Sequence, residues 1–275
     1  MIHPPFIDYA QLAEVPNPVY LDVRWYLDGS DGKSSYLRGH LKSAIYVDLE
    51  ATLTTKSRDK MLGRHPLPAA ADFAIDVARL GVAAESTVVV MDDCFGTVAA
   101  RLWWMLDALE VSAFILSGGV QSIPSSDMCT NDCKATPGNR EPLTNYGWPD
   151  GVLATTSQLR DEPERFQLLD ARARHRYLGL SEPIDRVAGH IPSAWSLPVL
   201  DLLADRTDYR RTDNLLDRLR ASEKDLVAYC GSGVTACALI ALLRQNGLAA
   251  RLYPPSYSGW SSNPSNAICT SDCLD

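Results

Sequence analysis

The sequence predicts an α/β protein of two tandem domains, each a mainly parallel sheet flanked by helices. Three observations carry that prediction. Short apolar strand candidates alternate with helical patterns, as they do where crossover helices join parallel strands. The same order of elements then occurs twice along the chain. Between the copies, residues 134–151 are rich in Pro, Gly and Asn and read as an exposed linker. With 275 residues, 46% of them hydrophobic, the chain can bury two ordinary cores, and single cores stop growing near this size. The boundary is placed near residue 145, giving domains 1–145 and 146–275.

The repeat can be followed element by element. Residues 19–24 match 167–172, each a buried-type strand ending in an acid and a base: Asp22 and Arg24, then Asp170 and Arg172. Next come two Gly-His turns, Gly39-His40 to Ala44 and Gly189-His190 to Ala194, and each leads into an extended segment, 45–49 and 195–199. Because both histidines occupy the same turn, a structural role is expected for each. The strand 87–91 matches 225–229, and each is followed by a short loop and a long helix, 98–109 and 234–246. Gly247 reads as the cap of the second helix. A last strand closes each copy, at 113–116 and 250–253.

Charge narrows the function. A formal net charge of -8 argues against a nucleic-acid or anionic-membrane surface, since phosphates are repelled at long range. Any anionic substrate must therefore meet local basic residues. No apolar run reaches the roughly 20 residues that span a bilayer, and Met1-Ile2-His3-Pro4-Pro5 lacks the basic-then-apolar pattern of a signal peptide. A cytoplasmic setting is expected. The seven cysteines are an odd number, and Cys94, Cys230 and Cys237 stand in apolar strand-to-helix contexts, which speaks against a complete disulfide framework.

The chemistry concentrates in the loop after strand 225–229: Cys230, Gly231, Ser232, Gly233, Val234, Thr235. Glycines permit backbone angles that turn several N–H groups inward. With a helix N-terminus directly behind, such a nest is expected to favour negative charge on the Cys230 sulfur. The product is a thiolate that can attack sulfur and hold a persulfide anion. In the first copy, aligning the strands puts Asp92 opposite Cys230, so a carboxylate stands where the thiolate would be. Cys94 lies two residues later, and the adjacent Asp92 and Asp93 are expected to raise its pKa.

Asp170-Ala171-Arg172, the Gly189-to-Ala194 turn and the Cys230-to-Ala236 loop, in this order, resemble the rhodanese superfamily, and the loop is similar to that of 3-mercaptopyruvate sulfurtransferases. The resemblance implies two rhodanese-like domains. The first is catalytically silent and the second carries sulfur on Cys230, with no cofactor. It implies a small-molecule sulfur donor and a thiol acceptor, such as thioredoxin or a dedicated sulfur-accepting protein. Thiosulfate-using members generally carry basic side chains inside the loop, whereas Gly231, Ser232 and Gly233 are uncharged. A carboxylate donor would instead be clamped by arginines from elsewhere, because a guanidinium offers paired planar donors. The segment 176–186 resembles the family's substrate-arginine segment and supplies Arg176 and Arg186, the latter displaced from the usual pattern and equally readable as an ion-pair residue. His65 resembles a histidine facing the active cleft, its other reading being a solvated loop histidine beside Pro66. The Ser232 hydroxyl can bond a keto acid, the transferring sulfur or its own loop.

One feature has no counterpart in that family. Cys129 and Cys133, like Cys269 and Cys273, form CxxxC pairs just after the last strand of each copy. Four readings stay open: a four-thiolate zinc site, a small disulfide in each pair, sulfur uptake from Cys230 by the second pair, or free surface thiols. Two rival functions are weighed as well. A phosphatase of similar architecture needs an arginine six residues after its cysteine, where this chain has Ala236. A sulfur-relay or scaffold module would differ from an enzyme in serving one dedicated protein acceptor.

Overall fold

A computed structural model of the protein describes residues 4–130, 138, 140–144, 147–204 and 213–272. The contacts divide the chain into two compact units, one of residues 1–55 and 67–149, the other of residues 56–66 and 150–275. Among the described residues no helix is long and apolar enough to cross a membrane.

The first unit runs β1 (Phe6–Ile7), β2 (Val19–Asp22), α1 (Gly32–Arg38), β3 (His40–Leu41), β4 (Ile45–Tyr46), α2 (Leu49–Thr52), α3 (Ala70–Arg79), β5 (Thr87–Met91), α4 (Ala99–Ala108), β6 (Ser112–Leu116) and β7 (Met128–Cys129). Its main sheet has the order β1-β6-β5-β2-β4, every pair parallel. The second unit runs α5 (Thr156–Asp161), β8 (Phe166–Asp170), α6 (Arg174–Tyr177), β9 (Trp195–Ser196), α7 (Val199–Ala204), α8 (Asp213–Arg220), β10 (Asp225–Tyr229), α9 (Thr235–Gln245), β11 (Arg251–Leu252) and α10 (Ser256–Ser262). Its strands order as β11-β10-β8-β9, again all parallel. Leu153 bridges to Leu252 at the place β1 holds beside β6, so the repeat extends to the sheet edge.

The central strands are buried on both faces, as parallel strands covered by helices must be, and so they read as largely apolar runs. In β8 all five residues are buried. Behind β10, residues 236–243 of α9 are all buried too. That helix has no polar face because protein covers it on every side. The expected helices 98–109 and 234–246 shorten to α4 and α9, with Leu109 and Asn246 becoming C-caps. Beyond Asn246, Gly247 (φ 75°) and Leu248 return their N–H groups to Arg244 and Leu243, closing α9 at the expected glycine.

Each unit locks its first long strand to its Gly-His turn in the same way. Arg24 pairs with Asp22 and donates to the Gly39 carbonyl at 2.6 Å; Arg172 pairs with Asp170 and donates to the Gly189 carbonyl at 2.7 Å. His40 stacks on Tyr36 and His190 on Tyr177, with ring centroids 3.9 and 3.7 Å apart. Each imidazole Nδ1 also bonds the carbonyl of the tyrosine it stacks on. Both histidines are thus structural, buried to 1% and 0% exposure.

Residues 56–66 fall in the sequence half assigned to the first domain yet pack in the second unit. The cause is backbone contact at two glycines. A Cβ on Gly63 would lie 2.5 Å from the Pro255 carbonyl oxygen, and one on Gly259 would lie 2.6 Å from that of Met61. Only hydrogen at both positions lets these segments meet, and the contact carries Arg64 and His65 into the second unit.

Burial holds the His190 pKa below its ordinary 6.5. Below pH 6.5 the unfolded chain therefore binds a proton that the folded state resists, and stability falls as the pH drops. Urea midpoints at pH 7.5 and 5.5 should differ less in His190→Asn than in the wild type. An unchanged difference would remove His190 from the acid sensitivity.

Candidate active site

In the second unit the loop between β10 and α9 holds Cys230, 3% exposed. Its Sγ accepts the Gly233 N–H at 3.2 Å, with Gly233 in the left-handed region at φ 79°. Val234 caps the helix, and Thr235 is its first residue. The loop keeps this shape because its carbonyls are engaged elsewhere. Tyr257 N–H donates to the Cys230 carbonyl at 3.0 Å and Ser258 N–H to that of Gly231 at 2.9 Å. The Cys230 N–H donates to Ser256 Oγ at 3.2 Å, and Ser256 is buried with φ 53°. With the Cys230 and Gly231 carbonyls engaged away from the sulfur and the Gly233 N–H directed at it, the loop is suited to negative charge.

The repeat contains an internal control. In the first unit Asp92 is buried at the end of β5 and accepts four backbone N–H groups, those of Cys94 and Gly96 on Oδ1 and of Val98 and Ala99 on Oδ2, at 2.7–2.8 Å. Burial raises its pKa against the opposing pull of those donors. A carboxylate thus fills the strand-to-helix loop of that unit. Beside it, burial first and then the Asp92 and Asp93 charges push the Cys94 thiol up to about 12. Cys94 has no thiolate to offer at neutral pH.

Around Cys230 the cationic charge comes from outside the loop. Arg176, on α6, pairs with Glu182 at 2.7 Å and Asp185 at 3.0 Å; Arg64 pairs with Asp185 and donates its N–H to Ser258 Oγ at 3.1 Å. Arg172 extends the series, reaching Glu182 at 3.3 Å. Acids and bases therefore alternate from Asp170 to Arg64. Burial acts to raise the Glu182 pKa, but Arg176 and the N–H groups of Asp185 and Ile184 prevail and hold it low. At Asp185 burial prevails over Arg64 and Arg176, and the pKa is raised. Both guanidiniums converge on Gly231: a Cβ there would lie 2.7 Å from Arg64 Nη2 and 3.6 Å from Arg176 Nη1.

His65 is 4% exposed, and its Nδ1 lies 2.7 Å from Ser232 Oγ, so it is a buried partner of the loop rather than a solvated histidine. Arg186 is exposed and lines a cavity together with Arg64. Sequence reasoning missed Arg64, and its only signal was its place directly before His65. Ala236, at the position where a phosphatase needs arginine, is fully buried. Of the paired cysteines, Cys129 is disulfide-bonded and its strand pairs with His40; Cys269 bridges to His190 in the equivalent place. Cys133 and Cys273 lie outside the described residues. Chemically, the arrangement offers a sulfur atom in an anion-favouring loop, two guanidinium ends one residue away and an imidazole–hydroxyl pair able to move a proton.

Comparison with known proteins bears on this geometry. The family model described as the Rhodanese-like domain matches residues 155–263. A Mycobacterium tuberculosis protein named as a thiosulfate sulfurtransferase is 36% identical over 269 residues, covering 95% of this chain and 94% of its own. A Pseudomonas aeruginosa protein named as a 3-mercaptopyruvate sulfurtransferase is 36% identical over 275 residues, covering 96% and 95%. Among solved structures, 3-mercaptopyruvate sulfurtransferase from Leishmania major superposes with a TM-score of 0.80 at 28% identity, covering 94% of this chain and 75% of that one.

Two outcomes are expected of the loop. Gly231→Ala places a methyl against Arg64, and kcat/KM for sulfur transfer should fall at least about tenfold while the melting temperature holds. Cys94, in turn, should resist iodoacetamide at pH 8. Its alkylation at the rate of a free cysteine would contradict the burial and charge that surround it.

Proposed function

The chain belongs to the rhodanese-like sulfurtransferases, and from that premise we propose that Cys230 is the sulfur carrier, that 3-mercaptopyruvate is the preferred donor, and that a thiol takes the sulfur on. The observation that carries the reading is the anion-favouring loop at Cys230, whose counterpart in the first unit receives the Asp92 carboxylate through four N–H groups. The same feature supports a silent first domain, since Asp92 occupies the position where sulfur would be carried.

In the proposed reaction the Cys230 thiolate attacks the donor sulfur, a Cys230–sulfur bond forms and the donor's carbon–sulfur bond breaks. The electron pair passes to carbon as the enolate of pyruvate, which takes up the proton released by the donor thiol. Pyruvate departs and Cys230 is left as a persulfide, stabilised by Gly233 and the other N–H groups of Ser232, Val234 and Thr235. Ser232, backed by His65 at 2.7 Å, is placed to pass the proton. Arg176 and Arg64 present nitrogens beside Gly231 for the donor carboxylate, with Arg186 adding charge from the cavity wall. The acceptor is a nucleophilic thiol, in a reducing cytoplasm.

Donor preference follows from where the charge lies. A thiosulfate dianion places its charge beside the thiolate, where Gly231, Ser232 and Gly233 offer no cationic side chain. Mercaptopyruvate carries one charge, at a carboxylate remote from the attacked sulfur. Its kcat/KM should exceed that of thiosulfate at least roughly tenfold, equivalent to about 1.4 kcal/mol in the transition state. A preference for thiosulfate would refute the donor assignment.

Intact mass after incubation with mercaptopyruvate should show the gain of one sulfur atom, reversed by reductant and absent in Cys230→Ser. Substantial turnover by that variant would sink the carrier assignment. Arg176→Ala should raise KM for mercaptopyruvate while leaving iodoacetamide labelling of Cys230 nearly unchanged.

A further inference from the structure

The second unit contains a cavity of about 430 Å³, of which the donor reaction uses only the Arg64 and Arg186 wall. Arg58, Lys60 and Arg186 line it, together with Ser258, Ser261 and Ser262; Arg64 and Asp185 belong to its wall. Arg58, Lys60 and Arg186 are exposed, and none makes an ion pair with a described residue. The rim acid Asp59 is engaged in accepting the Met61 N–H at 2.9 Å. A chain of net charge -8 thus gathers four cationic side chains, Arg58, Lys60, Arg64 and Arg186, against two carboxylates, Asp59 and Asp185, around one hydroxyl-lined hollow. Mutual repulsion disfavours that grouping unless an anion joins it.

Arg64 links this hollow to the reactive loop, since the guanidinium that lines the cavity also lies against Gly231. Resting on the sulfur-carrier reading above, we infer that the cavity is the acceptor subsite and that it takes a small thiol bearing two or more carboxylates. Its volume suits a ligand of small-peptide size rather than a flat protein face. Carboxylates held by Arg58, Lys60 and Arg186 keep the thiol near a sulfur that is otherwise hard to reach, Cys230 being 3% exposed. In the transfer the acceptor sulfur bonds to the outer sulfur of the persulfide, and the bond from that atom to Cys230 Sγ breaks, leaving its electron pair on Sγ. The acceptor's proton moves to the transferred sulfur, giving a new persulfide and the Cys230 thiolate with no external oxidant or reductant.

The test starts from protein already loaded with sulfur, so that donor binding does not enter. Single-turnover removal is followed with glutathione, a tripeptide thiol with two carboxylates, with neutral 2-mercaptoethanol, and with reduced thioredoxin. The ratio of the first two rates is compared between the wild type, the double variant Arg58→Glu with Lys60→Glu, and, independently, Arg186→Glu. The glutathione-to-mercaptoethanol ratio should fall at least tenfold in the double variant, and in the wild type it should decline as salt is raised. A ratio unchanged within twofold in both variants overturns the inference. So does a loss confined to reduced thioredoxin, which would assign the surface to a protein acceptor. If no persulfide loads at all, the sulfur-carrier reading falls and the inference with it.

Discussion

A loop can present its N–H groups to an anion only if its carbonyls find donors elsewhere. In the second unit those donors come from the start of α10: Tyr257 and Ser258 take the carbonyls of Cys230 and Gly231, while Ser256 Oγ receives the Cys230 N–H. Satisfying these groups is obligatory in a buried segment, because each one left unmade costs about 1–3 kcal/mol. The loop, the helix behind it and the segment after β11 therefore form one unit of construction. Ser258 also receives the Arg64 N–H, so the same few residues set the position of the guanidinium nearest the reactive loop.

The duplicated frame lets the strand-to-helix loops of the two units differ without a change of fold. Asp–Arg pairing, the guanidinium bond to the turn glycine and the stacking of histidine on tyrosine recur in both units. None of these contacts touches the strand-to-helix loop. Removing one partner from such a buried pair costs about 3–5 kcal/mol, which makes it a constraint on architecture. The loop is freer to vary, and α4 begins eight residues after β5 where α9 begins six after β10. In the longer version the Asp92 carboxylate accepts four N–H groups; in the shorter one the Cys230 sulfur accepts that of Gly233.

Electrostatics around the site are local, as a chain of net charge -8 requires. The alternation Asp170, Arg172, Glu182, Arg176, Asp185, Arg64 holds each guanidinium by a carboxylate and leaves two nitrogens of Arg176 and one of Arg64 beside Gly231. A guanidinium fixed by two acids gives up little further freedom on meeting a carboxylate, so affinity is gained through preorganisation. The acids also limit the field these arginines project.

The division between sequence and tertiary structure is itself physical. The sequence determined the parallel strands, the two-fold repeat, the Cys230 loop and the Gly247 cap, because each depends on neighbours in the chain: apolar runs, glycines at fixed offsets, an acid and a base two residues apart. His40 and His190 were legible as structural for a related reason, since duplication exposes a role that one copy would hide. Only the folded chain decided that residues 56–66 join the second unit, that His65 is buried against Ser232, and that Arg64 meets Gly231. These contacts join positions more than 160 residues apart, His65 with Ser232 and Arg64 with Gly231, through the close approach at Gly63 and Gly259. Nothing in the local pattern around those glycines distinguishes them from turn residues, because what they make room for is the backbone of a distant segment.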